Sequence, residues 1–183
     1  MRSILTIDDK IIHFVNDHMR CRSVDKVMRI VSRIGDNGAI WIGTSFCLIF
    51  MGGKSRKAGL LMLGSLGAEA SICNLAIKPS VARIRPYDAH GLMITIKQPK
   101  DYSFPSGHTA AAFAAAFSMY MSDRKHGILM LYGAALMGFS RIYLLVHYPL
   151  DVIAGAALGV ASAFTVNKLN SHGELGEKER EKA

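Results

Sequence analysis

Apolar positions in this chain gather into blocks instead of alternating. Residues 58–77, 127–146 and 150–167 each come close to the roughly 20 residues that cross a bilayer as a helix. Residues 39–52 and 107–121 are shorter and reach that length only with help from their flanks. Five such blocks in succession are hard to fit into a soluble fold. They predict an all-α, integral-membrane helical bundle of about five spans.

The first 35 residues follow a different pattern. Ile7, Ile11, Ile12, Val15 and Met19 keep helical spacing, with Thr6 as a candidate cap. A second amphipathic helix comes next, with Ser23 as its candidate cap and Val24, Val27, Met28 and Val31 along one side. Asp17, Arg20, Arg22, Asp25, Lys26, Arg29 and Arg33 are too many charges for a span. The expectation is a pair of interfacial helices covering the bundle, or an ordinary soluble cap; the pattern is the same for both. The organisation read from this is an amphipathic region over 1–35, a transmembrane core over 36–170 and a charged, disordered tail over 171–183.

The connections carry information of their own. Two short basic loops, 53–57 and 122–126, are separated by two spans and so fall on one side of the membrane. The long segment 78–105 and the turn at 147–149 fall on the other side, and all five prolines lie there. Proline marks where chains enter and leave helices, so irregular, site-forming backbone is concentrated on that face.

Composition adds exclusions. At 183 residues the chain has room for one domain, and half of it is hydrophobic. The net charge of +8 sits mostly at the ends of apolar blocks, where cations meet headgroups, so no nucleic-acid partner is expected. Three cysteines, two of them inside spans, make neither a disulfide framework nor a metal-ligand spacing. Asp8, Asp9 and Lys10 interrupt any apolar core of a cleavable signal peptide, so insertion is expected to rely on the internal spans.

The chemistry lies at the span ends on the proline-rich side. Lys78, Arg83 and Arg85 follow the second span, Ser106, Gly107 and His108 open the third, and Arg141, His147 and Asp151 bracket the turn into the last. Ionisable groups at such depth are costly, and a functional site is the default reading. Lys78, Arg85 and Arg141 suit a phosphate dianion and the charge on its equatorial oxygens. Ser106 is a natural N-cap, Gly107 leaves room for a substrate, and the amides of that helix start form an anion site. His147 and Asp151 are four residues apart, so that a hydrogen bond between them would set the imidazole tautomer for attack on phosphorus. His108 is left to protonate the leaving group. Arg83 is expected at a headgroup or loop contact, and His13, His18, His90, His126 and His172 at the surface. Glu69, in mid-span, either lines a substrate pocket or pairs inside the bundle. The paired carboxylates of a magnesium-dependent phosphatase are absent, so neither metal nor cofactor is expected.

These segments resemble the type 2 phosphatidic acid phosphatase superfamily. Its three motifs read Lys-(six residues)-Arg-Pro, Pro-Ser-Gly-His and Ser-Arg-(five residues)-His-(three residues)-Asp. They stand unbroken and in order at residues 78–86, 105–108 and 140–151, within a resemblance covering about 58–168. The resemblance implies a six-helix core and a metal-independent phosphohistidine intermediate on His147. It also implies binding roles for Lys78, Arg85, Ser106, Gly107 and Arg141. The substrate it implies is a phosphorylated membrane lipid, either undecaprenyl diphosphate or a phosphatidate-type lipid such as phosphatidylglycerophosphate. Two departures stand out. The family's first span is replaced here by the charged region 8–33. Several bacterial undecaprenyl diphosphate phosphatases carry Asp where Gly107 stands, which leaves the substrate open. Alternatives are a phosphatase for a soluble phosphate ester and a non-catalytic, phosphate-binding membrane protein. Lys54, Arg56, Lys57, Arg124 and Lys125 in the short loops argue for a cell-membrane protein with a cytoplasmic tail and an extracytoplasmic site.

Overall fold

The computed structural model describes the backbone of residues 2–180 and the side chains of residues 7–172. Nine α-helices run in chain order among the described residues, with no strand. They are α1 (Arg2–Phe14), α2 (Arg22–Ile34), α3 (Ala39–Met51), α4 (Gly53–Ser71), α5 (Lys78–Val81), α6 (Pro86–His90), α7 (Gly107–Ser122), α8 (Arg124–Tyr143) and α9 (Pro149–Arg180). The five apolar blocks fall on α3, α4, α7, α8 and α9.

Span lengths refine the expectation. Two segments, Gly53–His90 and Pro149–His172, are long and apolar enough to cross a membrane, and α2 with α3 makes a third if taken as one span bent by 46°. The shorter α7 occupies the centre of the bundle, packed against α4, α8 and α9. Ala110, Ala111, Ala112, Ala114, Ala115 and Ala116 are buried around most of its circumference. Such small residues let neighbouring backbones approach closely, which is how helices associate in lipid. Gly155 and Gly159 of α9 complete the contact: a Cβ on Gly159 would stand 2.3 Å from the Ala110 carbonyl oxygen, and one on Gly155 2.6 Å from that of Ser106. The α3–α4 turn has a different requirement, since Gly52 and Gly53 adopt φ of 75° and 53°, open to glycine at little cost.

The N-terminal helices differ from the expected caps. Helix α1 begins at Arg2, before Thr6, and α2 begins at Arg22 behind Cys21, so Ser23 is not its cap. The apolar stripe of α1 is split between two surfaces. Ile12 and Val15 are buried with Met28, Tyr143, Leu145 and Tyr148, whereas Ile7, Ile11 and Phe14 face outward. On α2, Met28 is buried and Val27, Ile30 and Ile34 are exposed. These helices cover the end of the bundle where the loop before α9 lies and keep a second apolar face. The backbone of α9 continues as helix to Arg180; the side chains of 173–183, most of the tail expected to be disordered, lie outside the described residues.

Candidate active site

Lys78 arrives on α5, directly after a wide helical turn at Ile72–Ile77 that continues α4. Such turns recur at functional sites. Arg85 precedes α6, Gly107 and His108 open α7, Arg141 lies in the last turn of α8, and His147 comes after it. The chain leaves α8 through a turn in which the amides of Val146 and His147 bond the Arg141 carbonyl, with Leu145 at φ 61°. That turn aims His147 back into the bundle. Lys78, Arg85, Gly107, His108, Arg141 and His147 all line one cavity of about 710 Å³. Ser106 and Asp151 stand behind its wall, both fully buried.

The cations are placed but not idle. Arg85 donates from Nη1 to the Val146 carbonyl at 2.8 Å and lies 3.1 Å from His147 Nε2. Its Nη2 donates to Asp101 Oδ1 at 2.7 Å, and Lys78 pairs with Asp101 Oδ2. A half-exposed carboxylate therefore bridges two of the three cage cations. Burial favours its neutral form, but the Lys78 hydrogen bond and both positive charges win and hold Asp101 down at about 2. Arg141 donates to Ser32 Oγ of α2, while its Nε has no hydrogen-bond partner.

Guanidinium groups only donate, so His147 Nε2 faces Arg85 with its lone pair and the proton belongs on Nδ1. That nitrogen lies 3.6 Å from Asp151 Oδ2, beyond hydrogen-bond length, and has no partner. The expected His147–Asp151 pair is present, but stretched past the length of a normal hydrogen bond. The reason lies in the company Asp151 keeps. Its Oδ2 accepts from Ser103 Oγ at 2.5 Å and the Tyr148 amide at 2.9 Å, and its Oδ1 from Arg83 at 2.6 Å. Burial is the main cause that drives His147 down to about 3, with Arg85 and Arg141 adding to it and Asp151 opposing. The imidazole is neutral at physiological pH.

Other expectations are corrected here. Arg83 is not a headgroup contact: it bridges Asp151 and Asp8, the latter at 2.7 Å, and stacks 3.9 Å over the Tyr148 ring. Ser106 sits at the N-cap of α7 but makes no capping bond; its hydroxyl accepts from Thr109 at 2.9 Å. The first amides of α7 therefore keep no intrahelical partner. A Cβ on Gly107 would meet only Lys78 Nζ, at 3.6 Å, so the space above it belongs to the cavity. His90 is half-buried against Asp9 and His13. Glu69 is buried on the cavity wall with Oε2 unpartnered.

Asp8, Ser32, Asp36, Asp101 and Ser103 were not legible as site residues. Asp36 Oδ1 accepts from His108 Nε2 at 2.9 Å. Only Asp8 carried a signal, as a carboxylate on the same helical stripe as Ile12 and Val15. Among the described residues, no group of three or more His, Cys, Asp or Glu has the geometry to hold a metal ion.

Residues 58–172 match the PAP2 superfamily. The chain belongs to this family. It is 33% identical over 139 residues to an undecaprenyl-diphosphatase of Sulfolobus acidocaldarius, covering 74% of this chain and 66% of that protein. It is 33% identical over 126 residues to undecaprenyl-diphosphatase BcrC of Bacillus subtilis, covering 69% and 61%. The chain thus spans slightly less than two thirds of the length of these curated relatives. Among solved structures, a transmembrane PAP2-type phosphatidylglycerolphosphate phosphatase from Bacillus subtilis superposes with a TM-score of 0.76 at 24% identity, covering 94% of this chain and 88% of that one. Aquifex aeolicus LpxE superposes with a TM-score of 0.71 at 23% identity, covering 87% and 93%. The fold is that of the PAP2 membrane phosphatases, and the chain is a membrane protein.

Proposed function

We propose that this PAP2 protein hydrolyses a lipid phosphate or diphosphate through a phosphohistidine on His147, without a metal. The observation that carries the reading is the neutral, buried His147, whose Nε2 faces Arg85 inside a cavity lined by Lys78, Arg85 and Arg141. A phosphate entering the cavity competes with Asp101 for Lys78 and Arg85, and it draws the Arg85 fork off Nε2 onto its own oxygens. The freed lone pair then attacks phosphorus. As the P–N bond forms, the bond from phosphorus to the leaving oxygen breaks, and its electrons stay on that oxygen.

His108, with Nε2 held by Asp36 and charged when the phosphate dianion enters beside it, gives the proton of its Nδ1 to the leaving oxygen. In the second step the same nitrogen takes a proton from water. The water oxygen bonds phosphorus, and the P–N electrons return to His147. Lys78, Arg85, Arg141 and the Gly107 and His108 amides at the start of α7 stabilise the oxygens through both steps, while the Ser106 amide is held by the Asp151 carbonyl. Asp151 sits on the Nδ1 side, where it stabilises the positive imidazole of the intermediate. Arg83, Ser103 and the Tyr148 amide hold it in register. The donor set supports chemistry without a metal, because Asp36 is committed to His108, Asp101 to Lys78 and Arg85, and Asp151 to Arg83 and Ser103. That leaves Glu69 with no second free carboxylate beside it on the cavity wall among the described residues.

The relatives named undecaprenyl-diphosphatase favour a polyprenyl diphosphate, and the phosphatidylglycerolphosphate phosphatase neighbour a phosphatidate-type lipid. The basic short loops favour a cytoplasmic tail and an outward-facing site. The test uses purified protein, both lipid classes and excess chelator. His147→Ala abolishes turnover and His108→Ala slows it by roughly 10²–10⁴. Full activity of His147→Ala, or loss of wild-type activity in chelator, overturns the mechanism.

A further inference from the structure

Beside the phosphate cage lies a second cavity, of about 1050 Å³, walled by α2 and the loop 95–100. Lys26, Arg29 and Arg33 line it from one face of α2, three and four residues apart, and Lys97 and Lys100 line it from the loop. Among the described residues, none of these five side chains makes an ion pair. The one carboxylate on its wall, Asp36, is already taken by His108. Five unpaired cations around one cavity repel one another, and an anion between them relieves that repulsion. Arginine forks also match phosphate geometry.

The two cavities meet at Asn37, Pro99, Lys100, His108 and Arg141, which line both. With His147 as the attacking group and His108 as the acid, the leaving oxygen lies on the His108 side, at the mouth of the basic groove. A monoester would send a neutral alcohol there, for which five cations have no use. A diphosphate would send a second phosphate. Ile30 lines the groove too, and with Val27 and Ile34 it is exposed on α2, an apolar path for a lipid chain.

Resting on those roles of His147 and His108, we propose that the groove between α2 and the loop 95–100 is a second phosphate subsite. It holds the inner phosphate of a lipid diphosphate and so selects diphosphates over monoesters. In the reaction, the bond between the outer phosphorus and the bridging oxygen breaks. That oxygen leaves with its electrons on the inner phosphate, as a lipid monophosphate held by the groove.

The test compares farnesyl diphosphate with farnesyl monophosphate, which share a chain and differ by one phosphate. In full-length protein in detergent, the double variant Arg29→Gln/Arg33→Gln lowers kcat/KM for the diphosphate, relative to the monophosphate, by about tenfold or more, the size of one lost charge-assisted hydrogen bond. Lys97→Gln, on the facing loop, moves the ratio in the same direction should the double variant fail to fold. An unchanged ratio overturns the subsite. Equal losses on both substrates that appear only with phosphatidylglycerol in the micelle assign the groove to a bilayer headgroup, and overturn it as well. Calorimetry on the His147→Ala protein separates this inference from the hydrolase reading, because it needs no turnover. Added Arg29→Gln/Arg33→Gln weakens inorganic pyrophosphate about tenfold more than orthophosphate. Should the wild type hydrolyse neither lipid, the proposed function falls while this binding comparison still decides the subsite.

Discussion

At the scale of single residues, the site is organised by which buried charge answers which. Asp151 is held by Arg83, Ser103 and the Tyr148 amide, which fix it as a negative charge 3.6 Å from His147 Nδ1. Neutral, buried and facing a guanidinium, His147 fits the nucleophile's part proposed for it. Its neutrality makes a pH prediction. Unfolded, the imidazole binds a proton near its ordinary value of 6.5; folded, it stays neutral down to about 3. Between those values the unfolded chain holds the extra proton, so folded stability falls as pH drops through that window. Asp101 acts lower and with the usual carboxylate sign: its contribution is full above 3.8 and is lost as pH falls towards about 2. His147→Gln therefore flattens the decline of melting temperature as the pH drops below 6.5, measured in detergent. An unchanged slope means that the imidazole is protonated in the folded protein.

At the scale of elements, the bundle depends on how closely α9 approaches α7. Gly155 and Gly159 are one turn apart on α9 and both stand against α7 backbone, Gly155 over Ser106 itself. Any side chain there must push the helices apart, because backbone cannot swing aside as a flexible side chain can. Gly159→Val is expected to destabilise the protein by about 1–3 kcal/mol, the usual cost of overpacking, seen as a lower melting temperature. Gly155→Ala is expected to lower activity more than stability, since it moves Ser106 and the amides at the start of α7. Wild-type activity in Gly155→Ala shows that the α7–α9 spacing does not set the anion site. By contrast, Gly67 has open space around its absent Cβ, so Gly67→Ala serves as the neutral control.

At the scale of the whole molecule, one end of the bundle carries the site and the other carries short basic connections. Helices α1 and α2 belong to the site end, tied to it by Asp8 to Arg83, Ser32 to Arg141 and Asp36 to His108. Their arginines and lysines therefore sit beside the site, and part of that charge faces the basic groove instead of a membrane surface. This is the physical ground for weighing Lys54, Arg56, Lys57, Arg124 and Lys125 more heavily in the orientation. Single cysteines at Ser55 and Ala89, in a background without Cys21, Cys47 and Cys73, report it in intact cells. Labelling by an impermeant maleimide at residue 89 and not at 55 is the expected result; the reverse pattern puts the site in the cytoplasm.

Much of this architecture was local and therefore legible. Apolar blocks are set by the cost of leaving backbone and polar groups in hydrocarbon, which acts along the chain, and they located α3, α4, α7, α8 and α9 within a few residues. The motif spacings likewise named Lys78, Arg85, His108, Arg141 and His147, because a phosphate demands those groups whatever surrounds them. What only the tertiary structure decided are contacts between segments distant in sequence. Asp101 lies across Lys78 and Arg85 because the loop 91–106 folds back over the cage. Arg83 reaches Asp151 and Asp8 together because α1 closes over the turn before α9. The basic groove exists because α2 faces the loop 95–100. A single side chain shows its chemistry in the sequence, but the charge that answers it does not. Burial removes the water that would otherwise screen it, and only the packed fold says which neighbour takes the water's place.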